Sequence, residues 1–468
     1  MAALATRTPD WRKRAGAPPA TSSAADTRSP GQKDRDRILY TDAFMRLGGV
    51  TQVVGAAEGQ LFHNRLTHTL EVAQLARRFA ERFAVVYKTD LAKAGLHLDP
   101  DVAEAAALAH DLGHPPFGHV AEDALKTLVL AASKKSGERP PSPAKEYDGY
   151  EGNAQSFRIV ARLAARRPGE IGLDLTQATL NGMLKYPVLR DDADAKNPDK
   201  IKYGAYRTEG DDFAFARTGT PDQIRSPEAE MMNHADNIAY SVHDLIDFYR
   251  AGLVPLELIA IDTFGTEIQD YIDYTRVEVG ETAAVQIENH RTELEIWVKA
   301  RFPRARHNEQ VLGATRGLTT ALIDDFVTDT GLEFSPTDFY PRVKIPALRD
   351  VEMKFLQRLV WKYVINSDRL ATQQHGQREV IVTLFNTYFD AIINDPRKEA
   401  PRILPGSFAS EPLPLSSTPL HPGELNHHAR VARIAADAVA SFTDAQAVKV
   451  YQRLLGVASG SVTDLMRG

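Results

Sequence analysis

The 468-residue chain contains no cysteine. That excludes disulfides, thiolate nucleophiles and Cys-held zinc, so any metal must be held by His, Asp or Glu. It also suits a reducing compartment, and a cytoplasmic setting is expected. No apolar run approaches the roughly 20 residues needed to cross a bilayer, and the N-terminus lacks the apolar stretch of a secretory signal. An excess of positive charge is missing too: 56 Lys and Arg stand against 62 Asp and Glu, a formal net charge of -6. Proteins that coat nucleic acid usually carry the opposite balance, so nucleic-acid binding starts as a minor reading. Anionic substrates stay open, because a local Lys/Arg cluster can outweigh a mildly acidic whole.

What is present reads as a globular helical chain. Hydrophobic residues make up 43% and charged residues 25%, ordinary proportions for a chain with a large core. Residues 1–32, rich in Pro, Ala and Ser and carrying Asp10 and Asp26, read as a disordered tail. From Lys33 the text is densely helical, without sustained strand alternation. One all-α domain is expected over residues 33–468, with a core at about 60–250 and a C-terminal helical part at about 251–468. Loops are expected at Ser133–Tyr147, Asp191–Lys200 and Pro405–Gly423.

Three helices carry the polar residues of interest. Arg65–Phe83 places Leu66, Leu70, Ala73, Ala76, Phe79, Ala80 and Phe83 at helical spacing. The second opens at Asp99-Pro100, an N-cap residue followed by Pro, and runs through VAEAAALAHDLG to Gly113, where Pro115 and Pro116 bar continuation. The third opens at Ser226-Pro227-Glu228 and ends near Gly252.

His110-Asp111 sits at the end of an Ala/Leu-rich helix, where charge is costly unless paired or bound to metal. Adjacent helical residues point about 100° apart, so both can reach one ion beside the helix end. His68, on the preceding helix, and Asp236, in the third, are candidates to complete a set of two imidazoles and two carboxylates. Such a set suits Mn²⁺ or Mg²⁺ first, with Fe²⁺, Ni²⁺ or Zn²⁺ as further options. The continuation HPPFGHVAE adds His114, His119 and Glu122. If a helix starts near His119, then His119 and Glu122 stand at i, i+3, and the carboxylate can raise the basicity of the imidazole. That makes His119 a candidate general base or proton carrier. Asp236, Tyr240 and Asp244 form one polar stripe at i, i+4 and i+8. His63, His234 and His243 read as structural, and His427-His428 as exposed.

These motifs resemble the HD superfamily, and within it the deoxyguanosine triphosphate triphosphohydrolase family. The residues that carry the likeness are RDRILYTDAF (35–44), TQV (51–53), HNRLTHTLEV (63–72), LAHDLGHPPFGHVAED (108–123), YEGNAQSFRI (150–159), TLNGMLKYP (179–187), KYGAYRTE (202–209) and ADNIAYSVHDLIDF (235–248), with a weaker match at ATQQHGQREVI (371–381). The resemblance implies His68, His110, Asp111 and Asp236 as metal ligands. It implies Arg65 as a phosphate contact, His114 at the α-phosphate, and His119 with Glu122 as the pair for water activation or proton transfer. Gln52 and Asp244 correspond to residues that hold the sugar 3′-hydroxyl, and Tyr240 to a ring beneath the deoxyribose that crowds out a 2′-hydroxyl. Lys185 and Lys202 correspond to lysines that grip the polyphosphate. Where many relatives carry a second acid after the last ligand, this chain has Asn237.

The activity so implied is hydrolysis of a deoxynucleoside triphosphate to deoxynucleoside and inorganic triphosphate. The resemblance also implies a homo-oligomer, often a hexamer in the family, and sometimes an activating nucleotide at a second site. Two rival readings stand beside it. One is another HD hydrolase, a nucleoside monophosphatase or cyclic-dinucleotide phosphodiesterase. The other is a nucleotide sensor or single-stranded nucleic-acid binder with weak hydrolysis, for which the clusters Arg158–Arg167 and Arg301–Arg306 would supply a basic groove.

Overall fold

The structure, a computed structural model, describes residues 14–15, 26–53, 63–134, 148–166, 170–190, 202–304, 311–394, 404–405 and 427–458. The expected loops at 133–147, 191–200 and 405–423 lie almost wholly outside the described residues, as does most of the expected tail. In chain order the helices are α1 (Pro30–Leu39), α2 (Asp42–Arg46), α3 (Arg65–Val86), α4 (Lys88–Lys93), α5 (Pro100–Ala109), α6 (His119–Lys134), α7 (Gly152–Arg158), α8 (Gln177–Gly182), α9 (Gly210–Arg217) and α10 (Pro227–Arg250). They continue with α11 (Leu256–Ile261), α12 (Thr266–Glu278), α13 (Glu281–Asn289), α14 (Arg291–Arg301), α15 (Val311–Asp329), α16 (Ala347–Val360), α17 (Asp368–Ile393), α18 (His427–Ala440) and α19 (Asp444–Leu454). The fold is all-α. Between α15 and α16 the strands β1 (Gly331–Glu333) and β2 (Arg342–Lys344) pair antiparallel. Three residues each are too few for a period of two to show in the sequence.

The described residues belong to two compact units that interleave along the chain. One comprises Met1–Ala57, Asn64–Met232 and Gln373–Gly468; the other comprises Glu58–His63 and Asn233–Thr372. The chain passes from one to the other inside α10 and again inside α17. Both are continuous helices with no change of composition, so no linker signal marks the passage.

In the first unit, Ser29 and Gln32 cap α1 reciprocally, with Pro30 in its first turn. Helix thus begins inside the stretch expected to be tail. Arg14, also from that stretch, reaches the buried carboxylate of Asp34 at 2.5 Å. Asn64 caps α3 by accepting from the Thr67 amide, and Asp99 caps α5 by accepting from the Asp101 amide. The helix α3 packs along α5, and both contribute fully buried residues, among them Phe79, Phe83, Ala103 and Ala106. A further core joins α6 (Ala121, Leu125, Val129) to α17 (Ile381, Leu384, Phe385, Tyr388) and to α18 with the turn after it (Val439, Phe442). Residues about 300 positions apart in sequence therefore share one core.

The second unit is built on α11 to α16, with Ile272, Leu294, Leu322, Phe326, Phe355 and Leu356 buried among them. His234, near the start of its part of α10, is buried against the Thr330 hydroxyl at 2.9 Å.

Candidate metal centre

The helix α3 presents Arg65 in its first turn and His68 one turn later, both buried. The helix α5 delivers the other donors, but it ends at Ala109, four residues before the expected stop at Gly113. His110 is its C-cap, and the amides of His110, Leu112 and His114 bond to carbonyls three residues back. Such tighter bonds commonly close a helix end. They turn the His110-Asp111 segment so that both side chains face α3.

The donor atoms of His68, His110 and Asp111 all lie within 4.8 Å of one another, and all three residues are buried. The His68 and His110 rings are 5.9 Å apart. His110 Nδ1 is 2.6 Å from the Ala107 carbonyl. A carbonyl only accepts, so Nδ1 carries the proton and Nε2 presents its lone pair. That Nε2 stands 3.4 Å from Asp111 Oδ1. Bonds of about 2.1 Å to a common ion put neighbouring ligand atoms roughly 3.0–3.4 Å apart. The donor set therefore fits a divalent metal. Burial alone would raise the Asp111 carboxyl, but His110, Arg65 and His114 beside it hold it well below the usual carboxylate range. Arg65 binds Asp111 Oδ2 at 2.7 Å, and His114 Nδ1 stands 3.0 Å from Asp111 Oδ1. Burial, and then the Arg65 charge, push the His114 imidazole below its ordinary value.

A second cluster follows on α6. His119, Glu122 and His114 bring their donor atoms within 4.8 Å of each other. The helix starts at His119, so the expected i, i+3 geometry is present, with His119 Nδ1 3.1 Å from Glu122 Oε2. His119 is 75% exposed while Glu122 is buried, so the pair is anchored from below and presents the imidazole outward. Glu122 Oε1 accepts from the Gly152 amide at 3.0 Å and from Lys202 Nζ at 2.9 Å. Burial alone would raise Glu122, but His119 and Lys202 hold it well below the usual range.

Lys202, expected to grip a polyphosphate, bridges two carboxylates: Glu122, and Glu151 at 3.1 Å. Those two charges hold its ammonium above the ordinary lysine value despite burial. Glu151 caps α7 by accepting from the Ala154 amide. An acid ahead of GNAQ reads as a helix cap, and nothing in the sequence marks its second role as a partner of Lys202. Nor does any sequence pattern mark Ser156. Its hydroxyl accepts from the Gly113 amide at 2.9 Å and donates to the His110 carbonyl at 2.7 Å, pinning the turn that carries the metal donors.

Gln52 lies just after Thr51 in the first unit. Among the described residues, its side-chain oxygen is buried without a hydrogen-bond partner. Lys185 lies in the segment after α8, its carbonyl accepting from Arg225. Asp236, Tyr240 and Asp244 lie on the second unit's part of α10. Burial, with the charges of Asp244 and Asp236 nearby, raises the Tyr240 hydroxyl above its ordinary value. His243 faces His63, with ring centroids 5.2 Å apart, and His63 Nδ1 is 2.7 Å from Asp247.

The HD domain family matches residues 65–241, which run from the start of α3 into α10. A "Deoxyguanosinetriphosphate triphosphohydrolase-like protein" of Corynebacterium glutamicum is 33% identical over 377 residues, covering 78% of this chain and 81% of the relative. The chain belongs to this family of HD-domain phosphohydrolases. A relative of the same name from Streptomyces coelicolor is 40% identical over 243 residues, half of each chain. One from Mesorhizobium japonicum is 30% identical over 438 residues, covering 92% of this chain and 89% of the relative. The phosphohydrolase-associated domain family matches residues 343–453, which include α16 to α18 and most of α19. Among the described residues no helix is long and apolar enough to cross a membrane.

Proposed function

We propose that this HD phosphohydrolase cleaves deoxynucleoside triphosphates to deoxynucleoside and inorganic triphosphate. The observation that carries the reading is the buried trio His68, His110 and Asp111, with donor atoms inside 4.8 Å and His110 held in the tautomer that offers Nε2. The names of the relatives favour a purine deoxynucleotide within that class. Asp236 is proposed as the fourth ligand and Mn²⁺ or Mg²⁺ as the metal, with Fe²⁺, Ni²⁺ or Zn²⁺ as alternatives.

A bound divalent ion would supply Lewis acidity toward an α-phosphate oxygen and acidify a water. The protein's own part begins with charge. Arg65 and His114, already drawn to Asp111, are placed to meet phosphate oxygens beside the donor trio. In the overall reaction water attacks the α-phosphorus, the bond to the sugar 5′-oxygen breaks, and that oxygen takes up a proton. His119 is the proposed carrier of that proton, its Nδ1 side oriented by Glu122. Lys202, together with Lys185, is proposed to take the outer phosphates, and a polyanion would draw Lys202 away from its two carboxylates. Gln52, whose buried side-chain oxygen can accept a hydrogen bond, and Asp244 are proposed for the sugar 3′-hydroxyl, and Tyr240 for the sugar ring. A homo-oligomer, an activating nucleotide or single-stranded DNA at a second site, and a cytoplasmic setting belong to the same proposal.

The test is product analysis with the four deoxynucleoside triphosphates, singly and in pairs, with Mn²⁺ or Mg²⁺. Release of intact triphosphate supports the reading. Release of monophosphate or orthophosphate supports another HD hydrolase. Salt-sensitive oligonucleotide binding with no turnover supports the sensor reading.

A further inference from the structure

The C-terminal turn between α18 and α19 reaches back into the site. Thr443 and Gln446 form a reciprocal capping box, so Thr443 is the N-cap of α19 and Asp444 is its first residue. Asp444 is not needed as the cap. Its carboxylate is buried, and its partners lie more than 300 residues away. Oδ1 accepts from the Phe117 amide at 2.8 Å; Oδ2 accepts from the Thr51 amide at 3.1 Å and from the Thr51 hydroxyl.

Both targets are placed where a small displacement matters. Phe117 lies in the turn between His114 and His119, and it has φ 66°, a left-handed conformation that a bulky residue rarely adopts. Such a conformation persists only where the surroundings hold it. Gly118 follows with φ 61°, and its amide closes the turn on the Pro115 carbonyl. The turn sets the distance between the two histidine rings, 5.8 Å at their centroids, and so between the metal-side and proton-side halves of the site. Thr51 precedes Gln52, and its carbonyl accepts from Arg65 Nε.

The same C-terminal turn holds the other side of the loop. Arg46, on α2, donates to the carbonyls of Phe442, Leu112 and His114 at 3.1, 2.7 and 2.8 Å. The loop from Leu112 to Phe117 is therefore gripped at its carbonyls by Arg46 and at an amide by Asp444. Gly49 fits under this arrangement because a Cβ there would lie 2.7 Å from Thr443.

We infer that Asp444 is a positioning residue for the proposed hydrolysis: it holds the left-handed turn at Phe117 and the strand of chain at Thr51, and so sets His119 against His114 and Arg65. The phosphohydrolase-associated segment then contributes to the chemistry without touching substrate. The inference rests on the reading of function above only for its kinetic arm.

The test uses the full chain carrying Asp444→Asn, which keeps the shape but replaces one acceptor oxygen with a donor. Displacements of about 1 Å cost up to about 100-fold in rate. With a deoxynucleoside triphosphate that the unaltered protein turns over, kcat should fall by about 10- to 100-fold while KM changes by less than about 3-fold. In a His119→Ala background the further loss should be at least about 3-fold smaller than with His119 present, because the part carried through the proton carrier is gone and only the part through Thr51 and Arg65 is left. Hydrogen exchange at the Phe117 and Gly118 amides should accelerate in Asp444→Asn with the remainder of the first unit unchanged.

An unchanged kcat overturns the inference, and so does a loss of equal size with and without His119, which would make Asp444 purely structural. If the unaltered protein releases no triphosphate, the functional reading fails, and hydrogen exchange at the Phe117 and Gly118 amides alone decides the inference: unchanged exchange overturns it. Should Asp444→Asn not fold, Thr51→Val, which removes only the hydroxyl donor, is expected to lower kcat by about 3- to 10-fold with KM held; no change there overturns it equally.

Discussion

At Asp111 one buried carboxylate serves three neighbours, His110, His114 and Arg65. Asp111→Ala removes a donor from the proposed metal and leaves the Arg65 guanidinium buried without that partner. Breaking a buried pair in this way costs about 3–5 kcal/mol. The expected outcome is loss of Mn²⁺ binding by titration calorimetry and loss of hydrolysis, with a lowered melting temperature but native far-ultraviolet circular dichroism. Gly113 is constrained by space. A Cβ there would lie 2.2 Å from the Ser156 amide nitrogen and 2.3 Å from the Gly152 carbonyl oxygen, both backbone atoms that cannot swing aside. Gly113→Ala should destabilise by about 3 kcal/mol or more in urea unfolding; a change under about 1 kcal/mol would contradict the close approach.

His234 carries a pH dependence. Burial pushes its imidazole from 6.5 down to about 4. Folded His234 thus stays neutral where the unfolded chain already binds a proton. The stability this provides is present above pH of about 6.5 and is lost as pH falls toward 4, roughly 3 kcal/mol at most. Unfolding free energy measured between pH 7 and 4 should fall less steeply in His234→Asn than in the unaltered protein.

Among the helices, α3 depends on its first turn. Asn64 accepts from the Thr67 amide and so fixes where the helix begins, one residue before Arg65 and four before His68. Asn64→Ala should cost about 1 kcal/mol of stability in chemical unfolding. The α5 boundary shows what pattern reading cannot resolve. Its start was legible in Asp99-Pro100 because both residues act locally. Its end depends on Ser156 and Tyr150 from a distant segment, which bind the Gly113 amide and the Gly113 carbonyl. Helix ends are the places where such tertiary contacts compete with local propensity.

In the first unit, α18 supplies one of the two counter-charges for Arg158 of α7. Arg158, buried, binds Asp437 at 2.8 Å and Glu209 at 2.6 Å, while Arg433 lies 3.5 Å from the centre of the Tyr206 ring. Asp437→Ala leaves Arg158 with one buried partner fewer, and a loss of about 3–5 kcal/mol is expected. Ending the chain after Ile393 would remove Val439 and Phe442 from the core they share with Leu125 and Phe385. That chain should bind a hydrophobic dye and show no cooperative thermal transition. A cooperative transition would mean the HD portion holds its own core.

The sequence alone picked out His68, His110, Asp111, His119 and Glu122 as residues able to hold a metal or move a proton, because residue type and the helix starts at Asn64 and Asp99 depend on near neighbours. The all-α class followed for the same reason, since apolar spacing is a local property. The tertiary structure decided the rest. Only folding turns the end of α5 toward α3, places Lys202 between two carboxylates, and brings Asp444 to the amide of Phe117. These contacts join residues tens to hundreds of positions apart, and no periodicity within a window of one helix can register a partner that lies outside it.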